Sequence, residues 1–178
     1  MRILTILLLL SGHIFATEFT DKLQNEVLML KKDKLEKTKM DFSGKEIFVV
    51  YYSHSTCGPC VPHTKKLNEW FKANNKTDAK FQLIFATRGD ETPEKLRKYI
   101  YKSNIEYPVM DVKFHVEADI ESKEAHPFYE DADMGVPRLR FFDKDGFEIY
   151  INKHVKDVYD AGEVISKLND ILKKISQK

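Results

Sequence analysis

The feature that most constrains this chain is an apolar run that leads directly into its two cysteines. Residues Glu46–Ser53 read EIFVVYYS, and a continuous β-branched and aromatic run of this length is typical of a strand buried on both faces. Cys57 and Cys60 follow in HSTCGPCVPH. The next segment, VPHTKKLNEWFKANN, repeats apolar residues at steps of three and four, which predicts a helix. The cysteines therefore lie between a buried strand and a helix.

The rest of the chain continues to alternate strand and helix patterns. FQLIFATR predicts a second buried strand, and TPEKLRKYIYKSN predicts a helix with Thr92 as N-cap and Pro93 at its first position. RLRFFDKDGFEIYI predicts a β-hairpin that turns at Asp145-Gly146. AGEVISKLNDILKKIS predicts a closing amphipathic helix. This order favours the α/β class, with a buried sheet that carries helices on its faces.

The first sixteen residues, 1–16, read MRILTILLLLSGHIFA and predict a secretory signal peptide. Arg2 supplies the positive charge, small residues precede the expected cleavage point, and the apolar run is shorter than the roughly 20 residues that span a bilayer. We expect the mature chain to start near Thr17 in an exported location, periplasmic or extracellular, where disulfides persist.

Two further segments fall outside the strand and helix pattern. Residues 17–45 form a lysine-rich N-terminal extension in which VLML at 27–30 is followed by KKDK. Either a hairpin or an amphipathic helix over 21–32 fits this segment, and we favour a helix that gives way to a short strand. Residues 111–134 form an acidic insertion that we expect to decorate the sheet edge or the rim of the site.

The charge balance bears on the partners of the chain. With 29 basic and 28 acidic side chains, the formal net charge is +1. No concentrated basic patch points to nucleic acid, so we expect no nucleic-acid partner. Haem attachment is excluded because Val61, not histidine, follows Cys60, and no cofactor is expected.

The position of the cysteines predicts their chemistry. At a helix N-terminus, unpaired backbone N–H groups and the helix dipole favour negative charge, which lowers the pKa of Cys57 and activates it as a nucleophile. Cys60 lies further into the helix and is expected to be more buried, so that it can attack a mixed disulfide and release product. Gly58 and Pro59 hold the sulfurs close enough to bridge.

Two motifs in this order, CGPC after IFVVYYS and then GVPRLRFFDKDG, resemble the thioredoxin superfamily. Within it, FSGKEIFVVYYSHSTCGPCVPHTKKLNEWF and FFDKDG resemble the TlpA-type and tryparedoxin/nucleoredoxin branches. The resemblance covers about residues 41–174. It implies a thioredoxin fold, with a central mixed β-sheet flanked by helices in a domain over 46–178, and thiol–disulfide exchange. It also implies that Pro137 is cis and faces the disulfide, while the Val136 backbone pairs with the substrate chain.

Several positions depart from the pattern of this superfamily. The usual tryptophan before the first cysteine is Thr56, and the buried carboxylate on the preceding strand is replaced by Tyr51. The helix proline is found early, at Pro62, and the glutamate that TlpA-type proteins often carry is replaced by His63. Arg138 follows the proline where a small or hydroxylated residue is usual. These departures leave the expected reaction type unchanged, but they leave open the identity of the substrate and the reduction potential.

Histidines and an arginine are the remaining candidates for a role at the site. His63 lies near the buried side of its helix and could accept the proton of Cys60, or it could be a polar residue that never touches sulfur. Arg138 could select acidic or carboxylate-bearing partners, or it could turn outward into solvent. His54 is expected to be solvated in the loop, with a place at the rim of the site as the alternative. His115 and His126 are expected at the surface.

A zinc or copper site is the main alternative for the same residues. His54, Cys57, Cys60 and His63 offer four ligands of the kinds that zinc takes. The buried strand and the Gly58-Pro59 turn already explain the cysteines, however, and the helix directs His63 away from His54. We therefore predict no metal at the site.

The sequence predicts an exported thiol–disulfide oxidoreductase. Its substrates would be protein disulfides, and a membrane electron donor would restore the dithiol. The Gly-Pro dipeptide favours a reductase over an oxidant or isomerase. The alternatives are a metal-binding or metal-delivery module on the same fold, and a partner-binding domain whose disulfide is only structural.

Overall fold

The computed structural model describes residues 19–21, 23–76, 78–87, 91–110, 136–151 and 161–175. The predicted signal peptide, the insertion at 111–134, His115 and His126 lie outside these residues. The strands are β1 (Val27–Lys31), β2 (Lys34–Lys37), β3 (Ile47–Ser53), β4 (Phe81–Thr87), β5 (Val109–Met110), β6 (Arg138–Asp143) and β7 (Glu148–Ile151). The helices are α1 (Cys60–Asn74), α2 (Pro93–Lys102) and α3 (Ala161–Ile175).

All of these strands form a seven-stranded sheet in the order β2-β1-β5-β4-β3-β6-β7. Strand β3 lies parallel to β4 and antiparallel to β6, so the sheet is mixed, as predicted. Because β6 runs antiparallel to β3, the start of β6 lies beside the end of β3: Tyr52 pairs with Arg138. The loop after β3 and the loop before β6 therefore meet at one edge of the sheet.

Strand β3 is buried along its whole length, and its side chains alternate between two cores. Val49 and Tyr51 face a cluster that also contains residues of α1, α2 and α3. Phe48, Val50 and Tyr52 face a second cluster on the other side. The second cluster is covered in part by the N-terminal segment, where the residues that contribute are Phe19, Leu23, Val27, Met40 and Phe42.

The three helices lie against one face of the sheet and are joined by side-chain hydrogen bonds. Trp70 of α1 donates its Nε1–H to Asn169 Oδ1 of α3 at 2.9 Å. Asn68 of α1 donates to the carbonyl oxygen of Ser103 at the end of α2, at 2.6 Å. The closing helix buries Leu168 in the first core, as its apolar periodicity predicts. None of the helices in the described ranges is long and apolar enough to cross a membrane.

The favoured interpretation, a helix that gives way to a short strand, holds at the start of the extension, whereas an amphipathic helix over the whole of 21–32 does not form. Residues 19–21 and 23–24 are helical, but β1 and β2 form a hairpin in which Lys31 pairs with Lys34. Lys32 takes a φ of +57° in the turn, and the carbonyl oxygen of Asp33 accepts a hydrogen bond from Arg97 Nη1 of α2 at 3.0 Å. Strand β1 also pairs with β5. These long-range partners override the helical spacing of the extension.

The predicted hairpin β6–β7 is confirmed, and its turn contacts the N-terminal segment. Gly146 has a φ of +84°, and a Cβ atom built on it would lie 2.8 Å from Cδ2 of Phe19. Phe19 in turn packs edge-on against Phe48, with 5.6 Å between ring centroids. Glycine is therefore required at position 146 both by the positive φ and by the closeness of the Phe19 ring.

A pair of glycine substitutions separates these two requirements. Gly44 has a φ of +76° with nothing within 4 Å of a built Cβ. We expect Gly44→Ala to lower the free energy of unfolding by about 1–2 kcal/mol, the cost of a left-handed non-glycine residue. Gly146→Ala should lose at least about 1 kcal/mol more because the Phe19 ring must shift. Urea denaturation of the two variants measures this difference, and equal losses would show that Phe19 does not press on the turn.

Candidate active site

The two cysteines form a disulfide at the start of α1. The sulfurs are 1.98 Å apart and the Cα atoms are 5.3 Å apart. Helix α1 begins at Cys60, with Pro59 as N-cap and no side-chain cap. The backbone N–H of Cys60 instead points at Cys57 Sγ, 3.2 Å away. The sulfur of Cys57 thus occupies the place where a capping oxygen would accept a hydrogen bond.

The two sulfur-bearing residues differ in their access to solvent. Cys57 is partly exposed, whereas Cys60 is fully buried. Cys57 Sγ also lies 3.6 Å from the carbonyl oxygen of Val136, and the Val136–Pro137 peptide bond is cis, as the resemblance implied. The exposed sulfur therefore faces the loop that precedes β6.

A chain of buried hydroxyl groups lies behind the disulfide. The carbonyl oxygen of Cys60 accepts hydrogen bonds from Tyr51 Oη at 3.2 Å and from Thr64 Oγ1 at 2.9 Å. Thr64 Oγ1 lies 2.9 Å from the hydroxyl of Tyr99, which lies 2.9 Å from Ser53 Oγ. A hydroxyl can donate one hydrogen bond and accept others, so the chain joins β3, α1 and α2 without a formal charge.

Tyr51 occupies the position at which the sequence resemblance implied a buried carboxylate, and it does not replace that carboxylate as a base. Burial, and secondarily the neighbouring Tyr99 hydroxyl, raises the pKa of Tyr51 above its ordinary value. Burial likewise raises the pKa of Tyr107, with Tyr51 and Tyr99 as weaker causes. These phenols stay protonated near neutral pH, so they can hold or pass a hydrogen bond but not carry negative charge.

A buried carboxylate is present elsewhere in the site, and the sequence analysis missed it. Glu91, just before the N-cap of α2, has a fully buried side chain. Its oxygens accept hydrogen bonds from the backbone N–H of Ser55 at 2.7 Å and from Ser55 Oγ at 2.8 Å. The two residues are 36 positions apart, and no local sequence pattern signals a contact of that kind.

His54 is buried, so the expectation that it is solvated was wrong. Its Nδ1 lies 2.8 Å from Thr56 Oγ1 and accepts from the backbone N–H of Thr56 at 3.2 Å. Its Nε2 lies 3.4 Å from Glu91 Oε2. Since Nδ1 is an acceptor, the proton of the neutral ring is on Nε2, which faces the carboxylate.

Solved structures of other proteins share this architecture. Thioredoxin from Wuchereria bancrofti matches with a TM-score of 0.55 and 23% identity over 84% of this chain and 97% of its own. Tryparedoxin I from Leishmania major matches with a TM-score of 0.53 and 21% identity over 74% and 84% of the two chains. Native tryparedoxin I from Crithidia fasciculata matches with a TM-score of 0.51 and 20% identity over 77% and 85%.

The chain has a thioredoxin fold. This confirms the fold that the two sequence motifs imply. Tryparedoxins are among the solved structures that the chain resembles. No protein-family model matches the sequence, and no match was found among curated proteins. At these identities the similarity concerns the fold, so the chemistry must be argued from the residues.

The thioredoxin fold places the other predicted site residues as follows. His63 is buried on α1, three residues after Cys60, and is 3% exposed. Arg138 is 4% exposed and follows Pro137 directly, so it does not turn outward into solvent. Arg140, on the same face of β6, forms a two-point ion pair with Glu148 at 2.7 and 2.8 Å. The guanidinium of Arg140 is therefore already paired with a carboxylate of the same chain.

The arrangement gives the metal alternative no support. Among the described residues, no group of three or more His, Cys, Asp or Glu side chains is placed to hold a metal ion. Cys57 and Cys60 are joined to each other, while His54 is directed toward Glu91 and Thr56.

A groove of about 570 Å³ lies between α1 and α2, next to the disulfide loop. Ser55 and Val61 line the groove near the disulfide, and Thr64 and Tyr99 also contribute to its surface. The hydroxyl chain behind Cys60 therefore borders this groove.

Two tyrosine substitutions test the hydroxyl chain. Tyr51→Phe should lower the free energy of unfolding by about 1–3 kcal/mol because Thr64 and the Cys60 carbonyl lose a buried partner. Tyr107→Phe is the control: no described residue lies within hydrogen-bond distance of the Tyr107 hydroxyl, so its removal should change stability by less than about 0.5 kcal/mol. Urea denaturation at pH 7 gives both values. A Tyr51→Phe loss no larger than that of Tyr107→Phe would contradict the network.

Proposed function

We propose that this chain is an exported thiol–disulfide oxidoreductase that reduces disulfides in protein substrates. The observation that carries the proposal is the asymmetry of the Cys57–Cys60 pair: one sulfur partly exposed and contacted by a helix-terminal N–H, the other fully buried. A dithiol needs this asymmetry in order to attack with one sulfur and resolve with the other.

The reaction begins from the reduced protein. The Cys57 thiolate attacks one sulfur of the substrate disulfide, forms a mixed disulfide and releases the first substrate thiolate. Cys60 then loses its proton and attacks Cys57 Sγ, which re-forms the Cys57–Cys60 disulfide and releases the second substrate thiolate. Two electrons pass to the substrate in total. Its two thiolates are protonated by the proton that Cys60 has lost and by one proton from solvent. The N–H of Cys60, which points at Cys57 Sγ, stabilises the Cys57 thiolate before attack.

The loop before β6 is the proposed docking site for the substrate. Val136 presents its carbonyl oxygen beside Cys57 Sγ, so an extended substrate segment can pair with the Val136 backbone while its sulfur reaches Cys57. Pro137 has no N–H and so offers a substrate segment no donor of its own. Arg138, beside this loop, is proposed to favour acidic or carboxylate-bearing partners.

His63 is the proposed acceptor for the proton of Cys60. It follows Cys60 by one turn of α1 and is buried with it. The phenol of Tyr51, by contrast, stays protonated near neutral pH because burial raises its pKa, so it cannot act as the base. Neutral imidazole is the base best matched to this pH range.

The cellular setting of the proposal comes from the sequence. The predicted signal peptide at 1–16 supports export, and an oxidising compartment requires a source of electrons for a reductase. A membrane partner is the proposed donor. The boundaries at 17–45 and 46–178 are also proposals, although β1 and β2 of the extension belong to the same sheet as the rest.

Trapping variants test the roles of the two cysteines. Cys60→Ser should accumulate a mixed disulfide with a model peptide disulfide, because Cys57 can attack but nothing resolves. Cys57→Ser should accumulate at least about tenfold less, because Cys60 is buried in the folded protein. Mass spectrometry of non-reduced samples measures both.

The unfolded proteins provide the control for this trapping experiment. In denaturant both variants should react at similar rates, since burial no longer separates the thiols. Equal trapping by the two folded variants would overturn the assignment of Cys57 as nucleophile.

A further inference from the structure

Several hydrogen bonds hold the segment that leads to the exposed cysteine. Within this loop, defined here as residues 54–57, the N–H of Cys57 donates to the carbonyl oxygen of His54 at 3.0 Å. The ring of His54 binds the backbone and side chain of Thr56. Ser55 directs both its N–H and its hydroxyl to Glu91. The contact with Glu91 therefore ties this loop to the residue just before the N-cap of α2.

Glu91 itself is held by the start of α2. Its neighbour Thr92 caps the helix by accepting from the N–H of Lys95 at 3.3 Å, and the helix dipole favours an anion at this end. Helix α2 is in turn tied to α1 through Asn68 and Ser103. The carboxylate thus projects from a rigid support that is separate from the cysteine loop.

Both oxygens of Glu91 are satisfied by hydrogen bonds. Each oxygen accepts from a donor of Ser55, and Oε2 also faces the Nε2 of His54. These contacts suit a carboxylate, which only accepts. A buried charge of this kind is costly unless it is satisfied by hydrogen bonds, so the loop and the carboxylate stabilise each other.

We propose that Glu91 is a positioning residue for Cys57: it fixes the loop through Ser55, and its buried negative charge restrains formation of the Cys57 thiolate. The inference rests on the proposed thiol–disulfide function and adds a second control on the same sulfur. The helix-terminal N–H favours the thiolate, and the buried anion of Glu91, bound to Ser55 two residues before Cys57, opposes it. Because the negative charge destabilises the Cys57 thiolate, it favours the disulfide form, and the dithiol becomes a better electron donor.

The charge component is tested with Glu91→Gln, which keeps the size of the side chain and an acceptor for Ser55. The pH midpoint for alkylation of reduced Cys57 by iodoacetamide should fall by about half a unit, since a negative charge near the thiolate is gone. Above that midpoint, the equilibrium with dithiothreitol should shift about threefold toward the dithiol, because half a unit is about a threefold change.

Glu94→Gln is the matched control for this measurement. Glu94 is exposed, lies in the first turn of the same helix and pairs with Lys98, so its substitution changes the net charge equally without touching the loop. It should leave both readouts at the parent values. Equal values for parent and Glu91→Gln would overturn the charge component, and an equal shift in Glu94→Gln would show a non-specific effect of net charge.

The positioning component is tested with Glu91→Asp, which keeps the charge but withdraws it from Ser55 by one methylene. Amide hydrogen exchange of Ser55 and Cys57 should accelerate at least about tenfold, while the amides of α2 beyond its first turn keep their parent rates. Unchanged exchange at Ser55 and Cys57 would overturn the positioning role.

Ser55→Ala tests the same link if the Glu91 variants do not fold. It removes one of the two hydrogen bonds to Glu91 from the loop side, and exchange at Cys57 should again accelerate; no acceleration would overturn the positioning role. Failure of this inference is distinct from failure of the proposed function. The parent protein must exchange with dithiothreitol through Cys57 for the function to hold, whatever Glu91 does.

Discussion

The pairing of β3 with β6 is the constraint on which the rest of the site depends. A strand buried on both faces cannot shift by one residue without moving Phe48, Val50 and Tyr52 into the wrong core. Its register is therefore fixed, and with it the point at which the chain leaves the sheet toward Cys57. The antiparallel partner begins at that same edge, which brings Val136 to within 3.6 Å of the cysteine sulfur. One set of backbone hydrogen bonds thus builds both halves of the site.

The polar groups around the disulfide fall into two kinds. Behind Cys60 lies a neutral chain of hydroxyls that includes Tyr51 and Thr64, and it supports the start of α1 without introducing charge. Glu91, a buried carboxylate, binds Ser55, two residues before Cys57. The position where the sequence resemblance implied a buried acid is thus neutral here, and an acid is found against a different part of the site. We infer that the electrostatic control of the dithiol is exerted on the attacking cysteine.

The parts of the structure that follow from local patterns could be predicted from the sequence. The run at Glu46–Ser53 is the core strand, Thr92 is an N-cap, and Asp145-Gly146 is a hairpin turn, because each depends on residues close along the chain. The cis peptide before Pro137 could be predicted from the family resemblance but not from the local sequence. The cysteine pair could be predicted because the strand, the two cysteines and the helix are adjacent in the chain.

The parts that failed depend on partners distant in sequence. The extension forms a hairpin because β5 and Arg97 bind it, and neither is adjacent to it in the chain. His54 is buried because Glu91 lies across the loop from it. The environment of Arg138, which the sequence left open, follows from its pairing in β6 opposite β3. In each case the sequence shows a polar residue or an ambiguous pattern, and only the tertiary contact decides its environment.

The reduction potential of the Cys57–Cys60 couple tests the central claim most directly. The Gly-Pro dipeptide between the cysteines, the absence of a histidine between them, and the carboxylate beside the loop all favour the disulfide form. Equilibration with glutathione buffers, read by thiol alkylation and mass spectrometry, gives the value. A reductase predicts a potential below about −220 mV, and a potential near about −120 mV, that of a strong oxidant, would contradict the account.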